Sequence, residues 1–128
     1  MIGSDGSLVH YGRASPHPRG YGTFPRVLGH YSRDLGVLSL EEAVRRMTSA
    51  PADRLGFAGR GRIEVGGVAD LVVFDPESVI DRATFDDPHQ HPIGIPHVFV
   101  AGHAVVRDGQ VTGARPGSIL RARAYESP

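Results

Sequence analysis

The side chains best suited to chemistry lie near the start of the chain, where an aspartate, an arginine and three histidines occur within 31 residues. Asp5 stands in the run GSDG at residues 3–6, after Met1-Ile2, which we interpret as the end of a buried strand. A carboxylate can carry protons between reacting groups, and the Arg19 guanidinium can bind a carboxylate through two parallel hydrogen bonds. Plainer interpretations stay open. Asp is common in turns, so the local residues alone favour a turn aspartate at position 5. A solvated loop arginine is an equally good interpretation of Arg19.

Residues 8–38 hold other polar candidates in a stretch with little periodicity, and long irregular stretches in compact domains tend to be functional. We interpret its histidines as exposed or hydrogen-bonded loop residues: His10, His17 and His30. Ser4 and Ser7 lie close to His10, but no nucleophile-elbow pattern surrounds them. A serine nucleophile is therefore not predicted.

A His-x-His pair, the kind that can bind zinc, occurs at His89-Gln90-His91. It lies in a polar, Pro-rich loop over residues 76–96. We interpret it as a solvated loop rather than a metal site.

One helix is strongly indicated in the first half. Ser39 followed by Glu42 forms a capping box, and an apolar face follows at helical spacing: Leu40, Ala43, Val44 and Met47. Ala50-Pro51 should end this helix, with a second short turn closed by Gly56. A further short helix is predicted over residues 24–31, with Pro25 in its first turn.

From residue 59 the spacing of apolar residues changes from the helical period to the period of two that is typical of strands. Strands are predicted over 62–65 and, as a buried strand, over 69–74. Two more, 97–100 and 104–106, should form a hairpin, and Asp108-Gly109 should turn the chain towards Val111. Residues 113–128 read as a surface tail carrying Arg115, Arg121 and Arg123.

Composition excludes several classes of protein. Lys+Arg and Asp+Glu balance at 14 each, so no basic excess favours nucleic acid or anionic membranes. Cysteine is absent, which excludes disulfides and thiolate metal ligands. No apolar run approaches the roughly 20 residues of a membrane span, and no signal peptide is evident. A cytoplasmic protein is expected.

The β half resembles the small β domain of the amidohydrolase superfamily, in the run GRIEVGGVADLVVFD at 61–75 and the hairpin VFVAGHAVVRDG at 98–109. The first half resembles, more narrowly, the N-acyl-D-amino-acid deacylases, also called D-aminoacylases. The segments that carry this resemblance are IGSDG at 2–6, HPR at 17–19, GTFPRVLGHY at 22–31 and LSLEEAVRRMT at 38–48, with DDPH at 86–89 and GARPG at 113–117.

The resemblance implies a fold. We expect an α+β chain made of the last strand and helix of a (β/α)8 barrel followed by a small β-sandwich portion. The expected units are residues 1–58 (barrel strand, active-site loop and helix), 59–112 (small β domain) and 113–128 (tail). A whole barrel takes about 200 residues or more, so we expect most of it, with its His-x-His zinc ligands, to precede Met1.

The resemblance also implies an activity, the zinc-dependent hydrolysis of N-acyl-D-amino acids to a carboxylate and a D-amino acid. Asp5 would be the last metal ligand and the general acid and base, and Arg19 would bind the substrate α-carboxylate. Zinc lowers the pKa of its bound water, which supplies the nucleophile. We expect this chain alone to be inactive, and to associate with a missing N-terminal half or with itself.

Two alternatives stay open. The chain could be a non-catalytic remnant or β module that docks onto a partner, with an exposed apolar helix face at Leu40, Val44 and Met47. It could instead come from another cyclic or linear amidase, of the hydantoinase or dihydroorotase kind, although residues 10–31 follow the D-aminoacylase pattern.

Overall fold

The computed structural model describes residues 1–121, in which helices precede an antiparallel sheet. The helices are α1 (Arg19–Arg26), α2 (Leu40–Met47) and α3 (Ser49–Leu55), and a π-helical segment, Val27–Asp34, continues directly from α1. The strands are β1 (Leu71–Val73), β2 (His97–Val100), β3 (His103–Arg107) and β4 (Gln110–Val111). The α+β class is thereby confirmed. Within the described part, no helix is long and apolar enough to cross a membrane. Arg123 of the predicted tail lies outside the described residues.

The chain is helical over residues 19–34, so the prediction of a short helix over 24–31 was wrong in its bounds. Pro25 lies near the end of α1, not in a first turn. Because proline has no N–H to donate, regular helical bonding is interrupted there. The helix continues with wider bonds, such as that from the Leu35 N–H to the His30 carbonyl oxygen at 3.0 Å.

Helix α2 begins after its predicted N-cap, Ser39, although the Glu42 carboxylate of the predicted capping box bonds to two arginines instead of back to Ser39. The Ser39 hydroxyl accepts the Glu42 N–H at 3.2 Å, which satisfies one otherwise free donor of the first turn. The Glu42 carboxylate accepts hydrogen bonds from Arg45 at 2.7 and 2.9 Å and from Arg46 at 2.7 Å. These bonds, first to Arg45 and then to Arg46, lower the pKa of Glu42 to about 2.

The end of α2 differs from the prediction. The helix stops at Met47, and Thr48 breaks it with φ −126° and ψ −87°. Pro51 lies in the first turn of α3, where its missing N–H removes no helical bond. Gly56, with φ 69°, ends α3 in the left-handed conformation, as predicted.

The core lies between the helices and the segment that follows β1. Val27, Leu28, Ala43 and Val79 are buried together. Half-buried apolar side chains pack against them: Ile2, Leu38, Leu40, Val44, Met47, Phe74 and Ile95. A Cβ on Gly29 would overlap the Val79 carbonyl oxygen, so glycine permits this close approach. The apolar face of α2 is thus half-buried, contrary to the expectation that it would be exposed.

The sheet has the order β1-β2-β3-β4, with every neighbouring pair antiparallel. Both predicted turns are confirmed. Ala101 (φ 48°) and Gly102 (φ 79°) join β2 to β3, and Asp108 (φ 50°) and Gly109 (φ 75°) join β3 to β4. Two consecutive left-handed residues suit the twist of a tight hairpin. The Asp70 carboxylate supports the first turn by accepting the Ala101 N–H at 2.8 Å.

Three predicted strands differ in the structure. Residues 1–2 form no strand, and the Ile2 N–H instead donates to the Arg46 carbonyl oxygen at 3.1 Å. Residues 62–65 form none either, and Ile63 and Val65 are 92 and 107 % exposed. The strand expected over 69–74 is reduced to β1, in which Val72 and Val73 are exposed. A strand needs a neighbour to complete its hydrogen bonds, and the described residues supply none for residues 1–2 or 62–65.

Candidate functional site

Asp5 lies in an exposed loop at one end of α1. Its φ of 49° is in the left-handed region, which Asp tolerates better than most residues. Its side chain is 88 % exposed, and its Oδ2 lies 3.0 Å from Nη1 of Arg19. The structure therefore brings together the two residues singled out from the sequence as site candidates, a carboxylate and a guanidinium. Their catalytic and binding roles stay predictions.

Arg19 owes its place to the first turn of α1. Its N–H donates to His17 Nδ1 at 3.1 Å, and its carbonyl oxygen accepts the Thr23 hydroxyl at 3.0 Å. Gly20 follows, and a Cβ there would meet Val9 at 2.9 Å. Glycine thus lets the loop after Asp5 pack against the start of the helix.

An open cleft of about 410 Å³ lies beside Arg19. Its walls come from the start of α1 and from the loop after Val79: His17, Pro18, Arg19, Gly22, Thr23, Arg26, Asp81, Ala83, Thr84 and Phe85. Asp81, only 10 % exposed, pairs with Arg26 at 3.2 Å. Partial desolvation opposes the charge of Arg26, but the bonds to Asp81 and Tyr31 raise its pKa overall. The positive charge of Arg26 is thus balanced by the Asp81 carboxylate within the wall of the cleft.

The His-x-His pair is held by the protein. His89 Nδ1 lies 3.0 Å from the Tyr21 hydroxyl and accepts the Gly12 N–H at 3.3 Å, while Nε2 lies 3.0 Å from the Ala14 carbonyl oxygen. The His91 ring stacks on Tyr11 with centroids 5.2 Å apart and planes 7° apart. The prediction of a solvated loop is wrong for His89, which is half-buried with both ring nitrogens engaged.

The remaining histidine and serine candidates serve local structure. His17 caps the start of α1 through Nδ1, and His30 Nδ1 lies 4.0 Å from Asp34. The Ser4 hydroxyl accepts the Gly6 N–H at 3.1 Å, and Ser7 and His10 are exposed. None of these contacts forms a nucleophile and base pair.

The described residues do not fit a metal by themselves. Within residues 1–121, no three His, Asp or Glu side chains are grouped closely enough to hold an ion. The carboxylate expected to be a zinc ligand, Asp5, instead faces a guanidinium. The candidate groups that the structure brings together here are therefore the Asp5 carboxylate and the Arg19 guanidinium.

Sequence reasoning passed over Tyr21 and Asp81, and it assigned no partner to His89. Each makes its contact across a long stretch of chain, Tyr21 with His89 and Asp81 with Arg26. The one available signal was the density of Tyr and His in residues 10–31 and 89–91. That density does not say which rings meet.

Residues 1–106 match a protein-family model described as the amidohydrolase family. A D-aminoacylase of Alcaligenes xylosoxydans xylosoxydans is 54 % identical over 120 residues, which are 94 % of this chain and 24 % of the relative. The chain thus spans about a quarter of the length of the curated relatives it matches.

Solved structures agree with these matches. A D-aminoacylase whose binuclear metal centre was characterised matches with a TM-score of 0.77 and 55 % identity, over 78 % of this chain and 21 % of that one. An N-acyl-D-glutamate deacylase of Bordetella bronchiseptica, in complex with zinc and a phosphonate mimic of the tetrahedral intermediate, matches with a TM-score of 0.71 and 49 % identity. That match covers 79 % of this chain and 23 % of the deacylase.

Proposed function

We propose a function from the premise that this chain belongs to the amidohydrolase family and is homologous to D-aminoacylases along about a quarter of their length. The chain supplies the C-terminal part of an enzyme that hydrolyses N-acyl-D-amino acids. Water adds to the acyl carbon, the C–N bond breaks, and the products are a carboxylate and a D-amino acid.

The observation that carries this proposal is the 3.0 Å contact between Asp5 and Arg19. Amide hydrolysis needs a group that takes a proton from water and returns it to the departing nitrogen, and a carboxylate can do both. A substrate with a free α-carboxylate needs a cation beside that group. The Arg19 guanidinium can offer two parallel hydrogen bonds.

Substrate would then replace Asp5 as the partner of Arg19. Because both side chains are exposed, exchanging one carboxylate for another at the guanidinium costs little. The exchange frees the Asp5 carboxylate for proton transfer next to the amide. The geometry thus supports a site that holds an anionic substrate and acts on the bond beside its anionic group.

The complete enzyme needs residues beyond those that the structure describes. Zinc is proposed as a cofactor of that complete enzyme and not of this chain alone. The proposed partner is a polypeptide segment corresponding to the remaining three-quarters of the relatives. Two exposed apolar features support it. Ile63 and Val65 alternate with polar neighbours, as in a half-buried strand, and the outer edge of β1 is unpaired by any described strand. Both would gain hydrogen bonds and burial from added strands.

Reconstitution tests this function. The chain is mixed with a D-aminoacylase from which the quarter aligned with this chain has been removed, zinc is added, and hydrolysis of N-acetyl-D-amino acids is followed by release of the free amino group. The chain alone should give no turnover, and the mixture should act on D but not on L substrates. Turnover by the chain alone would contradict the proposal that the catalytic groups are divided between this chain and the rest of the enzyme. A stable mixed complex without turnover would favour a non-catalytic module.

Two variants assign the roles in that mixture. Asp5→Asn should lower kcat by about 100-fold or more, since it removes the proton acceptor. Arg19→Lys should raise KM by about tenfold with a smaller change in kcat, because a lysine loses one of two charged hydrogen bonds. Full activity in either variant would remove the corresponding assignment.

A further inference from the structure

One imidazole, His89, reaches three points near the candidate site. Its Nδ1 lies 3.3 Å from the Gly12 amide nitrogen and 3.0 Å from the Tyr21 hydroxyl, and its Nε2 lies 3.0 Å from the Ala14 carbonyl oxygen. His89 is 75 residues distant in sequence from Ala14, so it links two separate loops.

The two backbone partners determine the state of the ring. A backbone N–H can only donate, so Nδ1 must be an acceptor for Gly12. A carbonyl oxygen can only accept, so Nε2 must carry the hydrogen that it donates to Ala14. The neutral ring protonated on Nε2 satisfies both contacts, and the Tyr21 hydroxyl can donate to the same Nδ1.

The three partners of His89 are close in sequence to the two candidate residues. Gly12 and Ala14 lie between Asp5 and Arg19, in a stretch without helix or strand, and Tyr21 follows Arg19 by two residues in α1. Ala14 has a φ of 56°, an unfavourable value for alanine. Such a conformation persists only where neighbouring contacts hold it, and the bond from His89 Nε2 to the Ala14 carbonyl oxygen is one such contact.

Aromatic packing adds to this link. Tyr11 lies edge-on to His89 at 5.6 Å, and Tyr21 lies edge-on to His91 at 5.5 Å. Together with the Tyr11–His91 stack, these rings tie the loop after Asp5 to the loop that contains His89. The hydrogen bonds and ring contacts of the two histidines go to Tyr11, Gly12, Ala14 and Tyr21 and not to Asp5 or Arg19, so any effect on that pair passes through the loop.

We propose that His89 is a positioning residue: it holds residues 10–14 against α1 and thereby sets how Asp5 and Arg19 face each other. Its consequence for catalysis rests on the proposed function, whereas its structural action does not. The ring acts through the loop, so its loss should disturb the placement of Arg19 more than the chemistry at Asp5.

The first test uses the full chain and needs no activity. Long-range ¹H–¹⁵N correlation spectra should show the Nε2-protonated tautomer of the His89 ring. His89→Phe, which keeps a ring but no acceptor, should speed hydrogen exchange of the Gly12 amide by about two- to tenfold, the effect of losing one ordinary hydrogen bond. His91→Phe is the matched control, because it keeps the stack on Tyr11, and its Gly12 exchange should match the wild type.

Two milder variants keep the test informative if His89→Phe fails to fold. Tyr21→Phe removes a single hydroxyl, and His89→Asn keeps an acceptor near Nδ1. The Gly12 amide should stay protected in His89→Asn, while the signals of residues 13–15 change. An Nδ1-protonated ring, or a Gly12 amide that exchanges equally fast in wild type and His89→Phe, would overturn the proposal whether or not the chain belongs to an active enzyme.

The reconstituted mixture gives the second readout. His89→Phe should raise KM for an N-acetyl-D-amino acid several-fold and leave KM for the corresponding α-amide, which lacks the carboxylate, unchanged. A general structural role would impair both substrates equally, and that result would contradict positioning through Arg19.

Discussion

Arg19 Nη1 lies 3.0 Å from Asp5 Oδ2, and this contact joins the two ends of an irregular loop at an exposed place. Exposed ion pairs contribute about 0–1 kcal/mol, so the contact does little for the fold. In the proposed function its importance is different, because it places two opposite charges side by side where a substrate carboxylate would exchange for one of them.

The fold should therefore tolerate loss of either partner. Asp5→Asn and Arg19→Met should each change the free energy of unfolding by less than about 0.5 kcal/mol, as measured by urea titration. Asn is the suitable replacement at position 5 because it tolerates φ 49°, where Ala would add backbone strain. Arg26→Met is the control. It leaves the nearly buried Asp81 carboxylate unpaired and should cost about 1–3 kcal/mol. Equal costs for Arg19→Met and Arg26→Met would contradict this distinction.

Val79 should be the most sensitive position of the core. It lies in the segment after β1, and its side chain is fully buried against the helices. Val79→Ala removes two buried carbons and leaves a cavity, which should cost about 2 kcal/mol. Val72→Ala makes the same chemical change at an exposed position in β1 and should cost less than about 0.5 kcal/mol. Similar urea midpoints for the two variants would show that the core has been misplaced.

Features set by neighbours in sequence were predicted well. The Ser39–Glu42 spacing predicted the start of α2, and Gly56 predicted the end of α3. Asp108-Gly109 predicted a hairpin turn. Each depends on backbone geometry within four residues, so tertiary context has little to change.

Features that depend on distant partners were predicted poorly. Alternation at Ile63 and Val65 indicated a strand, but no described strand lies alongside to complete it. The contacts of His89 cross 68 to 77 residues and join side chains whose types alone name no partner. Asp5 and Arg19 could be selected by resemblance, yet their direct contact was not foreseen.

Asp70 should prove structural, although it stands in the run that carries the family resemblance. Its Oδ1 accepts the Ala101 N–H at 2.8 Å, and its other oxygen pairs with Arg60. Asp70→Ala should lower the free energy of unfolding by about 1–2 kcal/mol, since the turn between β2 and β3 loses its acceptor. Asp70→Asn keeps an oxygen for Ala101 and should recover about half of that loss. An Ala101 amide that stays equally protected in all three proteins would contradict the role.

Glu42 should make the stability of the chain depend on acid pH. Hydrogen bonds from Arg45 and then Arg46 lower the pKa of Glu42 from 4.5 to about 2. A carboxyl whose pKa is lower in the folded protein stabilises the fold fully above its unfolded pKa, and this contribution is lost as pH falls from about 4.5 towards 2.

Glu42→Gln tests this dependence, because it keeps the backbone bond to Ser39 but lacks the charge. Urea unfolding should therefore show wild type more stable than Glu42→Gln at pH 6, with the difference shrinking steadily towards pH 2 and vanishing below it. Because the arginines are exposed, 0.5 M NaCl should also reduce the difference at pH 6. A gap between the two proteins that stays constant from pH 6 to pH 2 would mean that the Glu42 carboxylate does not support α2 through its charge.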